Sequence, residues 1–162
     1  MAQTGFFLSD EGRSITVLNE SGTTAIYAGD LVYTGAVDDV LTGTAASARN
    51  AYAGGDIKVA PVTMSATGYK TILGVAAEDI PADGYGACAM EGVFITPVSA
   101  NTEAGAILKG VASANKVLQI ADYAYGTTTT AVALVNDFKY KIGKALSGGS
   151  ANGKYIVWKL AL

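Results

Sequence analysis

The stretch KIGKALSGGSANGKYIVWKL, residues 141–160, admits two incompatible folds. Its centre, Gly148 to Lys154, has the G-x-x-x-x-G-K spacing of a phosphate-binding loop, which needs a strand before it and a helix after it. Its flanks argue otherwise. In FKYKIGKAL (138–146), Phe138, Tyr140 and Ile142 fall on one side and Lys139 and Lys141 on the other. In KYIVWKLAL (154–162), Ile156, Trp158, Leu160 and Leu162 alternate with Tyr155, Val157 and Lys159. A period of two marks a half-buried strand. Tyr155 also stands where a P-loop would carry the Ser or Thr that holds magnesium. Gly148, Gly149, Asn152 and Gly153 therefore read as the connection of a β-hairpin, and the nucleotide-binding reading falls.

The same grammar extends toward the N-terminus. SITVLN (14–19), DLVYT (30–34), DIKVAPV (56–62), KTILGVAA (70–77), GACAMEGVFITPV (86–98), VLQIAD (117–122) and TTTTAVALV (127–135) are short runs rich in aliphatic and β-branched residues. Gly, Asn, Asp and Ser punctuate them, as turns require. Within the longest run, Glu91-Gly92 predicts a bulge and Pro97 an edge position or strand end. Ala114-Asn115 predicts a hairpin tip. TAASARNAY (44–52) is the one helix candidate, equally readable as a loop. The fold class predicted is all-β: a single-domain antiparallel sandwich or barrel with long loops and at most one short helix. Residues 14–162 form the β domain, and residues 1–13 are an N-terminal arm or its first strand.

Composition narrows the function. Half of the 162 residues are hydrophobic and only 15% are charged, against roughly 25% in an ordinary soluble domain. A surface so poor in charge predicts partial cover by a partner. The net charge is −3, and the Lys and Arg are scattered, the longest basic run being the alternating Lys139, Lys141 and Lys144. Without a basic stripe, such a chain is a poor nucleic-acid binder. The sequence holds no histidine, the commonest general base and metal ligand. MAQTGFFLSDEGRS lacks the charged start and apolar run of a signal peptide, and no apolar stretch approaches the ~18 residues of a membrane span. The sequon Asn19-Glu20-Ser21 then reads as incidental.

Each candidate for chemistry has a plainer reading. Ser113 and Lys116 share the Ser-x-x-Lys spacing of acyl-serine enzymes, but lie in a turn entering a strand. Glu78, Asp79 and Asp83 in AAEDIPADGYG, like Asp38-Asp39, read as turn chemistry rather than a calcium or glycosidase site. Cys88, in ACAM, has no histidine to activate it and reads as a small buried hydrophobe. Trp158 reads as core. Tyr123 and Tyr125 are candidates for surface contact. GFFL (5–8) places Phe6, Phe7 and Leu8 beside the polar SDEGR; burying such side chains is worth roughly 1.5–3 kcal/mol each, so they are assigned to a core strand or to contact with a partner. No catalytic, metal or cofactor-binding residue is assigned.

The order GRSITVLNESG, AGDLVYTG, TILGVAAEDIPADGYG, EGVFITPVS, AGAIL and KIGKALSGGSANGKYIVWKL resembles the capsid decoration or cement proteins of tailed bacteriophages, over most of residues 10–162. The resemblance implies a β-rich, non-enzymatic virion protein on the outer capsid surface. Its implied partners are the major capsid protein and two further copies of itself in a homotrimer, with no nucleic acid, membrane or cofactor. The alternative is a carbohydrate-binding β-sandwich of a fibre or adhesin, motivated by the tyrosines and Trp158. An enzyme using Glu78, Asp83 or Glu91 is a third class.

Overall fold

Short aliphatic runs separated by Gly- and Asn-bearing turns become strands. The computed structural model describes residues 6–9, 13–34, 57–120 and 135–161, and eleven strands lie among them. In chain order they are β1 (Phe6–Ser9), β2 (Ser14–Asn19), β3 (Leu31–Thr34), β4 (Lys58–Pro61), β5 (Ile72–Ala76), β6 (Tyr85–Ala89), β7 (Glu91–Pro97), β8 (Ile107–Val111), β9 (Ala114–Gln119), β10 (Lys141–Ala145) and β11 (Tyr155–Ala161). They divide into a closed barrel, β2-β4-β3-β5-β6, and a six-stranded sheet, β1-β7-β11-β10-β8-β9. The all-β expectation holds. One barrel pair, β2 with β4, is parallel, whereas the sequence suggested antiparallel pairing throughout. The cause is topological: a closed ring with an odd number of strands cannot alternate direction all the way round.

Two barrel strands, β3 and β5, carry buried residues on both sides. In β3 and β5, the neighbouring residues Leu31 and Val32, and Val75 and Ala76, are all buried. Val32, Ala76 and Cys88 face inward with Val17, Ile26, Val59 and Ile80. Leu31, Val75 and Ala89 face outward, onto a second core shared with Phe94, Leu108, Ile142, Ile156, Trp158 and Leu160 of the sheet. Strands buried on both faces read as continuous apolar runs, without alternation. The sheet strands do alternate: β11 buries Ile156, Trp158 and Leu160 and turns Tyr155, Val157 and Lys159 away. The Trp158 indole packs against Phe94 with centroids 5.8 Å apart, and its N–H donates to Thr96 Oγ1 at 2.9 Å. This satisfies a donor that would otherwise be costly to bury.

Three local expectations are corrected. Glu91-Gly92 is not a bulge in one long strand: β6 belongs to the barrel and β7 to the sheet, with Met90 between them. The Met90 N–H donates to the Arg13 carbonyl at 2.7 Å, and Gly92 takes φ 144°, a conformation that favours glycine. A glycine signals either event, so the sequence could not separate them. The strand expected over 138–146 begins only at Lys141, because residues 135–139 are helical. The Tyr140 N–H closes that turn on the Asp137 carbonyl at 3.1 Å. Finally, Ala114-Asn115 is not the hairpin tip; residues 112–113 are, with Ser113 at φ 51°. The expectations for 38–39, 44–52 and 121–134 lie outside the described residues, as do Leu162, Tyr123 and Tyr125.

Candidate functional site

The glycine-rich connection before β11 is tied down at three of its amides. Gly149 and Thr102 exchange reciprocal N–H to carbonyl bonds of 2.8 Å, Gly153 donates to the Val98 carbonyl at 2.7 Å, and Lys154 donates to Ala151 at 3.1 Å. Lys154 leads into a strand, not into the helix whose N-terminus a P-loop requires. Ser113 lies in the β8–β9 turn and Lys116 in β9, so the two do not share a helix face. The Lys116 ammonium donates to Asn152 Oδ1 at 2.9 Å.

The carboxylates of the 78–83 turn anchor backbone. Glu78 Oε1 accepts from the Ala87 N–H and Asp79 Oδ1 from the Ala28 N–H, each at 2.8 Å. Asp83 sits at φ 55°. Among the described residues, no three acidic or thiol groups converge in a metal-holding arrangement. Asn19 is fully buried. Its amide donates to the Thr24 carbonyl at 2.8 Å and the Pro81 carbonyl at 3.1 Å, so the sequon is spent on tying β2 to that turn. Burial pushes the Cys88 thiol up to about 12, which keeps it protonated and unreactive at neutral pH. Trp158 lies in the core and offers no sugar platform. Phe6, Phe7 and Leu8 belong to β1, at the edge of the sheet, with Phe6 opposite Ile95 and Phe7 opposite Phe94.

Sequence reasoning missed the polar clamp between barrel and sheet. Asn115, nearly buried at the start of β9, donates to Asp30 Oδ1 at 2.7 Å and accepts from the Leu31 N–H at 2.7 Å. Asp30 in turn accepts from the Tyr27 N–H at 2.9 Å. A buried amide satisfied this way fixes how the layers meet. The signal was present as Asp30 before a strand, but its partner lies 85 residues away.

It also missed a basic stripe. Lysines distant in sequence converge on the sheet's outer face: Lys109 of β8 stands opposite Lys141 of β10, and Lys144 of β10 opposite Lys159 of β11. A bulge at Ile142 lets that residue and Gly143 both face the core while Lys141 and Lys144 stay exposed. Asp137 answers Lys109, Nζ to Oδ1 2.5 Å. On the barrel-facing side of the sheet, at the start of β10, opens a hollow of about 280 Å³, lined by Tyr69, Lys70, Phe138, Lys139, Tyr140, Lys141 and the aliphatic Ile72 and Ile142. Tyr69 and Tyr140 meet edge to face at 5.9 Å. The Lys70 ammonium lies 5.8 Å from one ring centre and 5.9 Å from the other, within cation–π range. Chemically, the outer face of the sheet presents ammonium donors, a receptor for negative charge.

The fold thus defines a class: an all-β protein in which a small closed barrel packs on one face of an open sheet. Among solved structures, the chain is similar to the N base of the head fibre gp8.5 of bacteriophage phi29. The TM-score is 0.49 at 11% identity, and the match covers 92% of this chain and 93% of that one. No protein-family model matches the chain, and no curated protein matches it in sequence.

Proposed function

We propose that this chain is a structural, non-enzymatic protein of a tailed-phage virion, which binds the outer surface of the assembled head and stabilises its lattice. The observation that carries the reading is the ordered set of segments resembling decoration proteins. These segments are architectural: GRSITVLNESG holds β2 with Asn19, TILGVAAEDIPADGYG is β5, its anchored turn and the start of β6, and KIGKALSGGSANGKYIVWKL is the β10–β11 hairpin. Such a protein acts by linkage, since a ligand bound only to the assembled shell stabilises it by mass action. The reading takes the protein as a homotrimer whose partner is the major capsid protein, with Phe6, Phe7 and Leu8 at a contact. In support, β1 is an edge strand, and edge strands offer ladder groups to a neighbour.

The test is to add purified protein to undecorated, expanded heads and follow shell melting together with co-sedimentation. Saturable binding with a raised melting temperature is the expected result. Absence of both would remove the reading. A mass measurement in solution tests the trimer separately.

A further inference from the structure

We infer that the lysine stripe across β8, β10 and β11 is a docking surface for an acidic segment of a protein partner. The stripe is costly to the fold by itself. Like charges directly opposite on paired strands repel and destabilise the pairing, yet Lys109 faces Lys141 and Lys144 faces Lys159. Only the first pair has a described counter-charge, Asp137, and no described carboxylate pairs with Lys70, Lys139, Lys141, Lys144 or Lys159. Asp137 shows what the surface accepts: a carboxylate held at 2.5 Å by an ammonium. Phe138, 42% exposed beside it, adds an apolar contact. A segment carrying carboxylates next to an apolar side chain would match both.

A sugar partner fits less well, because the Tyr69 and Tyr140 rings are engaged with each other and with Lys70. A nucleic acid fits less well because the stripe has no arginine to fork a phosphate and the chain's net charge is −3. The inference names the partner chemistry of the proposed capsid contact, and rests on that reading only for which protein supplies the acidic segment.

The experiment measures fluorescence anisotropy of labelled short polyglutamate against the full chain and against the variant Lys141→Glu/Lys144→Glu, with Lys141→Arg/Lys144→Arg as the charge-preserving control. Expected are saturable binding that weakens with salt, a loss of about tenfold or more in the Glu variant, and retention in the Arg variant. Thermal unfolding verifies that the Glu variant is folded; a carboxylate at position 144, opposite Lys159, should not lower its melting temperature. No saturable binding, equal binding by the Glu variant, or tighter binding of oligothymidylate or oligogalacturonate than of polyglutamate would each overturn the inference. Co-sedimentation with undecorated heads separates the two proposals. If the wild type binds heads and the Glu variant binds them equally, the stripe is not the contact although the capsid reading stands. If the wild type binds polyglutamate but not heads, the capsid reading falls and the stripe stands.

Discussion

The barrel and the sheet are built from the same short aliphatic strands, yet they use their polar residues in opposite ways. In the barrel, Asn19, Asp30, Glu78 and Asp79 turn back onto backbone amides and carbonyls, and strands such as β3 are buried on both sides. In the sheet, one face is core and the other displays Lys141, Lys144 and Lys159, which no described carboxylate pairs. Side chains committed to local anchoring cannot also meet a partner. Recognition chemistry in this molecule therefore gathers on the sheet, and the barrel serves as its support.

That division can be attacked through the shared core. Trp158→Ala is expected to cost about 3–5 kcal/mol, because Trp158 is fully buried between the layers and its loss strands Thr96. Urea unfolding measures it; a loss below about 1 kcal/mol, well under the usual cost of such a truncation, would mean that the layers do not share the core described. Asn115→Ala should cost about 1–3 kcal/mol by leaving the Leu31 N–H without its acceptor. If barrel and sheet are coupled through this clamp, thiol labelling of Cys88 and fluorescence of Trp158 will report one unfolding transition in the wild type and separated transitions in the variant.

Cys88 sharpens the barrel side. Its pKa rises from the ordinary 9.0 to about 12 through desolvation. Below pH 9 both folded and unfolded chains keep the proton and stability is unaffected. Between pH 9 and about pH 12 the unfolded chain loses it while the native chain retains it, so stability falls as pH rises, by up to about 1.4 kcal/mol per pH unit. Denaturation at pH 8 and pH 10 in wild type and Cys88→Ala should show a steeper fall in the wild type; equal slopes would contradict it. The smallest effect is expected at the barrel surface. The exposed pair Lys58–Glu20, 2.8 Å apart, should contribute less than about 1 kcal/mol in a double-mutant cycle at low salt.

How much of this could be read from residues alone follows the same division. β2 was legible to the residue because SITVLN is a β-branched run closed by a turn, and β11 because its one-sided burial preserves the alternation of Ile156, Trp158 and Leu160. The barrel's individual strands were legible as apolar runs, but their closure was not, since ring closure depends on pairing β2 with β4 across a long stretch of chain. The split at Met90 was hidden because a glycine next to a charged residue suits a bulge and a strand switch alike. The helical turn at 135–139 was hidden because so short a segment carries no decisive periodicity. The basic stripe was the least visible feature. Lys141 and Lys144 belong to one short run, but Lys109 and Lys159 are distant from it, and only register brings all four side by side.

The order of strands in the sheet has a mechanical consequence. β7 lies between β1 and β11 and runs antiparallel to both, with Phe6 beside Ile95 at one end and Ala161 beside Glu91 at the other. Tension applied between Phe6 and Ala161 would pull the flanking strands along β7 in opposite directions. The rungs on its two sides would then be strained in shear, many at once, and not peeled apart singly from one end.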